Sequence, residues 1–276
     1  MHPLITTWQR FSPTRFPRLL PEDKQLANQP GRALIYRSYE NFITSADFGN
    51  TDCTQFHLGL LPQPFIGNLS KASIFILMLN PGFSVGDYYA LQHSSAYASA
   101  IKRNLSQQNE SDDFPFFFLD PQFAWTAGGQ WWQTKLHSIA TELMRLNVIK
   151  LPEALQHISQ HVACLEMFPY HSRSFSPLKI ELESKKLVCQ YVKEVLVPRT
   201  QQGDALLVAT RQAAAWPLPQ RSNRNIITYN AGQARGAHLT MNTPGGQAIL
   251  ERLQRTWKAE LSSSRKSGKA LLPHSA

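Results

Sequence analysis

The sequence predicts an α/β fold: a three-layer α/β/α sandwich around a central parallel sheet of four strands. Four short apolar segments, at 74–79, 161–168, 205–209 and 225–229, have the length and composition of strands buried on both faces. Segments with helical periodicity separate them, and strands that alternate with helices form parallel sheets through crossover connections. A chain of 276 residues, 42% of them hydrophobic, fits one large domain or two small ones.

The first elements are predicted as follows. Residues 1–70, rich in proline, arginine and aromatics, should form an irregular N-terminal wrap on a main domain at 71–260. After the first strand, Asp87 is expected to cap a helix that runs to about Leu105. The next helix is amphipathic, with a stripe at four-and-three spacing whose members are mostly expected in the core: Trp132, Leu136, Ile139, Leu143 and Leu146.

The later elements carry clear start and stop signals. Pro152 can open a short helix before the second strand, and Pro198 should end a helix that begins near Leu178. Thr243 as N-cap, with Pro244 in the first helical position, starts the last helix. Residues 261–276 are small, polar and basic, and are expected to form a mobile tail.

Charge and composition narrow the class of partner. A net charge of +9 with only 17% charged residues favours a polyanion such as DNA, although a basic surface without a partner fits equally well. Cys53, Cys164 and Cys189 are too few and too widely spaced for a disulfide framework or a metal site, so we expect no metal and no cofactor. The N-terminus lacks the apolar core of a secretory signal, and no stretch approaches ~20 apolar residues, so a cytoplasmic location is expected. The protein is expected to act as a monomer.

Ligands of parallel α/β sheets bind beyond the carboxyl ends of the strands, which selects the candidate residues. Together these strand ends would gather an amide, a carboxylate, a histidine, aromatics and arginines. The candidates are Asn80, Pro81, Gly82 and Phe83, with Tyr88 behind them; Glu166, Tyr170, His171 and Arg173; Arg211; and Asn230, Gln233, Arg235 and His238.

Two active-site patterns overlap after the first strand. Residues 82–86, Gly-Phe-Ser-Val-Gly, fit the nucleophile elbow of esterases and would make Ser84 a nucleophile. In an elbow the strand runs directly into the first glycine and a helix follows the serine at once. Here Asn80 and Pro81 intervene, and the helix is expected only near Asp87, so the elbow is disfavoured.

The competing pattern, Leu-Asn-Pro-Gly-Phe-Ser at 79–84, resembles the first catalytic motif of the uracil-DNA glycosylase superfamily, in particular its mismatch-specific uracil and thymine branch. Gly-Gln-Trp-Trp at 129–132 is similar to the start of the following helix in that branch, and the resemblance spans about 58–260. The family's His-Pro-Ser motif has no match, because Tyr-Asn-Ala-Gly-Gln-Ala-Arg stands at 229–235.

The resemblance implies a monofunctional DNA glycosylase that extrudes a nucleotide and hydrolyses the base–sugar bond with water. Asn80 would position that water, and Asn230 lies where His-Pro-Ser stands in the family. Pro81 and Gly82 would let the backbone approach the base, while Phe83 or Tyr88 would stack on it. His171 would assist the leaving base or hold a phosphate.

Substrate choice is expected to depend on Glu166. An ionised glutamate only accepts hydrogen bonds, so it would favour a base edge that presents an amino group, as cytosine does. A modified cytosine of foreign or phage DNA is therefore expected; a salt-bridged structural carboxylate is the alternative. Gln233, Arg235 and His238 would enter the minor groove, and Arg173 and Arg211 would contact phosphates unless they are simply solvated.

Three hypotheses follow: a glycosylase that leaves abasic sites, a DNA-binding module of the same fold without turnover, and an esterase that uses Ser84.

Overall fold

The computed structural model describes residues 1–49, 54–221 and 223–267. The strands are β1 (Ala33–Leu34), β2 (Phe56–His57), β3 (Phe65–Ile66), β4 (Ile74–Met78), β5 (Val162–Glu166), β6 (Leu206–Ala209) and β7 (Ile226–Thr228). The helices are α1 (Pro3–Gln9), α2 (Tyr39–Ile43), α3 (Val85–His93), α4 (Ser95–Ser106), α5 (Ala127–Asn147), α6 (Leu151–His161), α7 (Glu183–Tyr191), α8 (Val197–Gln202), α9 (Ala231–Gly236) and α10 (Pro244–Ser267).

The α/β class is confirmed, and the main sheet has five strands in the order β3-β5-β4-β6-β7. The four predicted strand segments contain β4, β5, β6 and β7, and each hydrogen-bonded pair among these four is parallel. The sheet is nevertheless mixed and not purely parallel as expected, because β3 adds a fifth, antiparallel strand beside β5. Two residues, Phe65 and Ile66, are too few to show a strand pattern in the sequence.

A glycine lets β3 approach β5 closely. Gly67 has φ +96, and a Cβ at this position would lie 2.7 Å from the carbonyl oxygen of Val162. An L side chain would therefore meet both backbone strain and a steric clash at this turn.

Both faces of the sheet are covered. Each residue of β4, β5 and β6 is buried, and the largest exposure among them is 8%, at Met78. Since successive side chains of a strand point to opposite faces, such burial requires cover on both sides. Helices α5, α6 and α10 contact one another, while α1 contacts α4 and α7. The three-layer arrangement itself stays a prediction.

The helix expected from Asp87 to Leu105 is two helices with a different start. Ser84 is the N-cap of α3, and the Asp87 carboxylate accepts from the Ser84 backbone N–H at 2.7 Å, which completes a capping box. Ser94 ends α3 and caps α4 by accepting from the N–H of Tyr97. The sequence alone does not distinguish Asp87 from the N-cap, because both members of a capping box are cap-type residues.

Pro198 does not end the helix that precedes it. The segment expected from Leu178 begins at Glu183, passes through one π-helical turn at Val192–Leu196 and continues as α8. Pro198 is the second residue of α8 and lies directly after the π-helical turn, at the junction between two backbone hydrogen-bonding patterns.

The N-terminal segment shares the core of the main domain. Leu4 and Trp8 of α1 are buried in the same cluster as Leu253 of α10. The predicted boundary between residues 70 and 71 falls between β3 and β4 of one sheet. Of the tail expected at 261–276, residues up to Ser267 continue α10, and the remainder lies outside the described residues.

Candidate functional site

A cavity of about 620 Å³ lies at the carboxyl ends of β4 and β5. Such a volume suits a small organic ligand. The residues after β4, the end of β5, the loop that follows it, the residues after β6 and the N-terminus of α5 all contribute to its wall. The predicted site residues that line it are Asn80, Pro81, Gly82, Phe83, Glu166, His171, Arg173 and Arg211.

Asn80 is held in one orientation by its amide nitrogen. Nδ2 donates to the Pro81 carbonyl at 2.9 Å and to Ser172 Oγ at 2.9 Å. Ser172 Oγ in turn donates to the carbonyl of Ser174 at 2.9 Å. With the donor side of the amide engaged, the side chain offers Oδ1 as an acceptor, the group that can hold a water molecule in the cavity.

His171 contacts two backbone carbonyls through its ring. Nδ1 lies 2.8 Å from the oxygen of Gly82, and Nε2 lies 3.1 Å from the oxygen of Leu61. A neutral imidazole has one N–H, whereas the imidazolium has two and satisfies both contacts. In the latter form His171 brings a positive charge to the cavity and has no N–H left for a ligand.

Glu166 presents a buried carboxyl to the cavity. Glu166 is only 4% exposed, and its Oε2 has no hydrogen-bond partner among the described residues. The thiol of Cys164 donates to Oε1 at 3.6 Å. Burial raises the pKa of Glu166 to about 8, against a smaller opposing effect of the thiol. The expectation of an ionised Glu166 is therefore wrong at neutral pH, because the desolvation cost of the charge favours the neutral acid.

Asp87 is a second buried carboxyl in the cavity wall, and it was expected only to cap a helix. Burial raises its pKa, while the nearby His171 acts in the opposite direction. Two carboxyls and one histidine thus share a desolvated space.

Phe83 lies in the cavity wall and is backed by a histidine. The rings of Phe83 and His57 stack with centroids 3.5 Å apart and planes at 11°. Burial, followed by the charges of His171 and Arg173, lowers the pKa of His57 to about 3, so this ring is neutral. One face of Phe83 is therefore occupied within the protein.

Two predicted base contacts, Tyr88 and Tyr170, do not line the cavity. Tyr88 is 2% exposed, packs against Phe42 and places its hydroxyl 3.4 Å from His57 Nδ1. Tyr170 is equally buried, and its hydroxyl donates to the Asp23 carboxylate at 2.6 Å. Both tyrosines are buried outside the cavity wall, which corrects their predicted contact with a base.

The segment expected to be a groove-inserting loop is the short helix α9. Asn230 caps it: Oδ1 accepts from the N–H of Gln233, and Gln233 Oε1 accepts from the N–H of Asn230. This capping role, together with the position of Asn230 outside the cavity wall, corrects its placement among the catalytic residues. Arg235 and His238 are exposed, and Arg211 Nη2 approaches the carbonyl oxygen of Arg235 at 3.4 Å.

Ser84 has the position of an elbow serine but lacks its strain. Helix α3 does begin directly after Ser84, contrary to expectation. However, Ser84 has φ −129 and ψ 149, a relaxed extended conformation, and its Oγ accepts from the N–H of Gly86. An elbow serine occupies a sharp, strained turn, so the geometry describes an N-cap.

Several wall residues were missed from the sequence, namely Gln63, Asp87, Tyr97, Phe118, Trp131 and Ser172. Trp131 is 43% exposed, and Lys135 Nζ lies 4.8 Å from its ring centroid. The Trp131-Trp132 pair was a usable signal, because only Trp132 belongs to the buried helical stripe.

No protein-family model, curated protein or solved structure matches the chain. Within the described residues, no helix combines the length and apolar character needed to cross a bilayer.

Proposed function

We propose that this protein is a monofunctional DNA glycosylase that extrudes a non-standard base and hydrolyses its bond to the sugar. The observation that carries the proposal is the meeting of Asn80, Glu166 and His171 in one cavity whose rim holds Arg173 and Arg211. In this proposal the fold is the three-layer sandwich of the uracil-DNA glycosylase superfamily.

Asn80 is assigned the role of positioning the attacking water. Its amide nitrogen is fixed by Pro81 and Ser172, so Oδ1 can accept a hydrogen bond from water in a constant position. A fixed acceptor reduces the entropy lost when the water is aligned with the base–sugar bond. The water attacks the sugar carbon, the bond to the base breaks, and the base leaves as an anion with the bonding electrons. The proton that the attacking water loses passes to solvent, from which the released base takes up one proton.

His171 is assigned a stabilising charge. As imidazolium it donates to the carbonyls of Gly82 and Leu61, so it does not protonate the base. A positive charge held in a desolvated cavity favours the negative charge that develops on the leaving base.

Glu166 is assigned the reading of the base edge. As a neutral acid it offers a carbonyl acceptor beside an O–H donor. Cytosine presents the complementary pair through its N4 amino group and N3, and uracil does so through N3–H and O4. The neutral acid therefore admits cytosine without excluding uracil. A cavity of about 620 Å³ leaves room for a substituent on the pyrimidine, which supports a modified cytosine of foreign or phage DNA as the substrate.

The rim of the cavity suits a nucleic-acid backbone. Arg173 and Arg211 are exposed at its edge, and the whole chain carries a net charge of +9. Arginines contact phosphates and position the duplex without reading its sequence. The exposed indole of Trp131 offers a stacking surface beside them.

The test is a base-release assay on duplexes that contain uracil, mismatched thymine, 5-hydroxymethylcytosine or its glucosylated form, followed by alkaline cleavage at abasic sites. We expect strand breaks on a modified cytosine, their loss in Asn80→Ala and their retention in Ser84→Ala. Glu166→Gln keeps a donor and an acceptor and should retain activity at neutral pH.

Other results would assign the protein elsewhere. Tight, salt-sensitive DNA binding without breaks on any substrate would indicate a binding module without turnover. Ester hydrolysis that disappears in Ser84→Ala would indicate the esterase and contradict the proposed reaction.

A further inference from the structure

Two histidines and a glutamate form a cluster between α6 and α10. His157 and His161 are one helical turn apart and so lie on the same face of α6. Glu260 of α10 approaches both: Oε2 lies 3.4 Å from His157 Nδ1, and Oε1 lies 2.7 Å from His161 Nε2. One nitrogen or oxygen from each of the three residues lies within 4.8 Å of the other two.

The contact made by Nε2 of His157 shows which ring nitrogen carries the hydrogen. Nε2 lies 3.0 Å from the carbonyl oxygen of Leu253, which can only accept, so this nitrogen carries the hydrogen. A neutral His157 then turns the lone pair of Nδ1 towards a carboxylate oxygen at 3.4 Å. Two acceptors that face each other at this distance, one of them on the buried His157, favour a cation or an added proton between them.

We propose that His157 Nδ1, His161 Nε2 and the Glu260 carboxylate bind one divalent transition-metal ion of the zinc class. Two imidazoles and a carboxylate are a donor set that zinc takes, with solvent as the fourth ligand. Tetrahedral ligands about 2.05 Å from a metal lie about 3.3 Å apart, close to the 3.4 Å between His157 Nδ1 and Glu260 Oε2. The His161–Glu260 contact must open from 2.7 Å, and the three donor atoms, which lie within 4.8 Å of one another, must adjust to this common spacing.

The surroundings fit the role of a metal ligand for His157. Metal-bound histidines usually donate their second N–H to a carbonyl or carboxylate, as His157 does to Leu253. His157 is buried, and its ring packs edge-on against Trp257 at 4.9 Å, whereas Glu260 is half exposed and gives the ion access from solvent. The ion would fasten α10, the last described helix, to α6.

The experiment uses tag-free, full-length protein stripped with a chelator and titrated with Co²⁺, whose visible absorption reports coordination, and with Zn²⁺ in competition. We expect one equivalent of Co²⁺ with absorption bands of a four-coordinate ion, displacement by Zn²⁺, and a rise in Tm with Zn²⁺ that EDTA reverses. Glu260→Gln, a nearly isosteric change at a half-exposed position, and His161→Ala should each weaken binding at least tenfold. His137→Ala, at an exposed histidine of α5, is the matched control and should bind as wild type.

Absence of Co²⁺ uptake by the wild type would overturn the proposal and leave the cluster as an imidazolium–carboxylate ion pair. Uptake that persists unchanged in both Glu260→Gln and His161→Ala would also overturn it, because the ion would then lie elsewhere. Neither result depends on the proposed glycosylase activity.

Discussion

Replacing Glu166 by glutamine should stabilise the protein, and increasingly so as the pH rises. The Glu166 carboxyl is buried, and its Oε2 has no partner among the described residues. Few interactions therefore offset the desolvation cost of ionising this carboxyl. Glutamine has the same shape and cannot ionise. The Cys164 thiol can donate to the glutamine carbonyl as it does to Oε1.

The magnitude follows from the difference between the folded and unfolded pKa of this carboxyl. Burial raises the pKa from an ordinary 4.5 to about 8, so the folded protein holds the proton more tightly than the unfolded chain. The stability that this proton contributes is complete below pH 4.5. It is lost progressively as the pH rises from 4.5, and the loss is complete above about pH 8. At about 1.4 kcal/mol for each pKa unit, the loss is roughly 3 kcal/mol at pH 7 and roughly 5 kcal/mol above pH 8.

The assay is urea unfolding of wild type, Glu166→Gln and Glu251→Gln at several pH values between about 5 and 9, with tryptophan fluorescence as the readout. Glu251 is exposed, so its substitution should change the unfolding free energy by less than about 0.5 kcal/mol at every pH. A gap between Glu166→Gln and wild type that stays constant from about pH 5 to about pH 9 would refute the reasoning. It would mean that Glu166 is ionised and solvated in the folded protein.

Three further predictions concern other parts of the molecule. Asp23→Ala should lower the unfolding free energy in urea by about 3 kcal/mol, since it leaves the buried hydroxyl of Tyr170 without its acceptor; an unchanged midpoint would contradict this role. Gly129→Ala should lower Tm by several degrees, because a Cβ there would lie 2.1 Å from the Phe123 carbonyl oxygen; a Tm equal to wild type would show that α5 can shift freely. Arg173→Ala should weaken DNA binding equally for all sequences and reduce the slope of log K against log salt by about 0.9; an unchanged slope would remove this arginine from the phosphate contacts.

The periodicity of the sequence determined most of the fold. The four apolar segments and the stripe on α5 are long enough to carry a clear pattern, and each corresponds to a strand or helix of the structure. Helix α10 begins at Pro244 after Thr243, as its capping residues predict. Strand β3 could not be recognised, because its two residues are fixed by pairing with β5 and not by a local pattern.

The sequence predicts the parts of the candidate site that follow the ends of strands. It does not predict how deeply each side chain is buried. Asn80 and Glu166 end adjacent parallel strands, so topology alone brings them together. Whether a side chain faces the cavity or is buried away from it is decided by packing, which keeps Tyr88 and Tyr170 out of the cavity wall. The neutral state of Glu166 has the same origin, since desolvation depends on neighbours distant in sequence.

The central claim is that Asn80 directs water to the base–sugar bond, and release of free base tests it most directly. Mass spectrometry should detect the free modified cytosine, in amounts equal to the abasic sites, after incubation of duplex DNA with wild type. Asn80→Ala should bind the same DNA with an unchanged Kd and release no base. Release by Asn80→Ala at the wild-type rate, or no release by wild type from any of the modified duplexes, would contradict the claim.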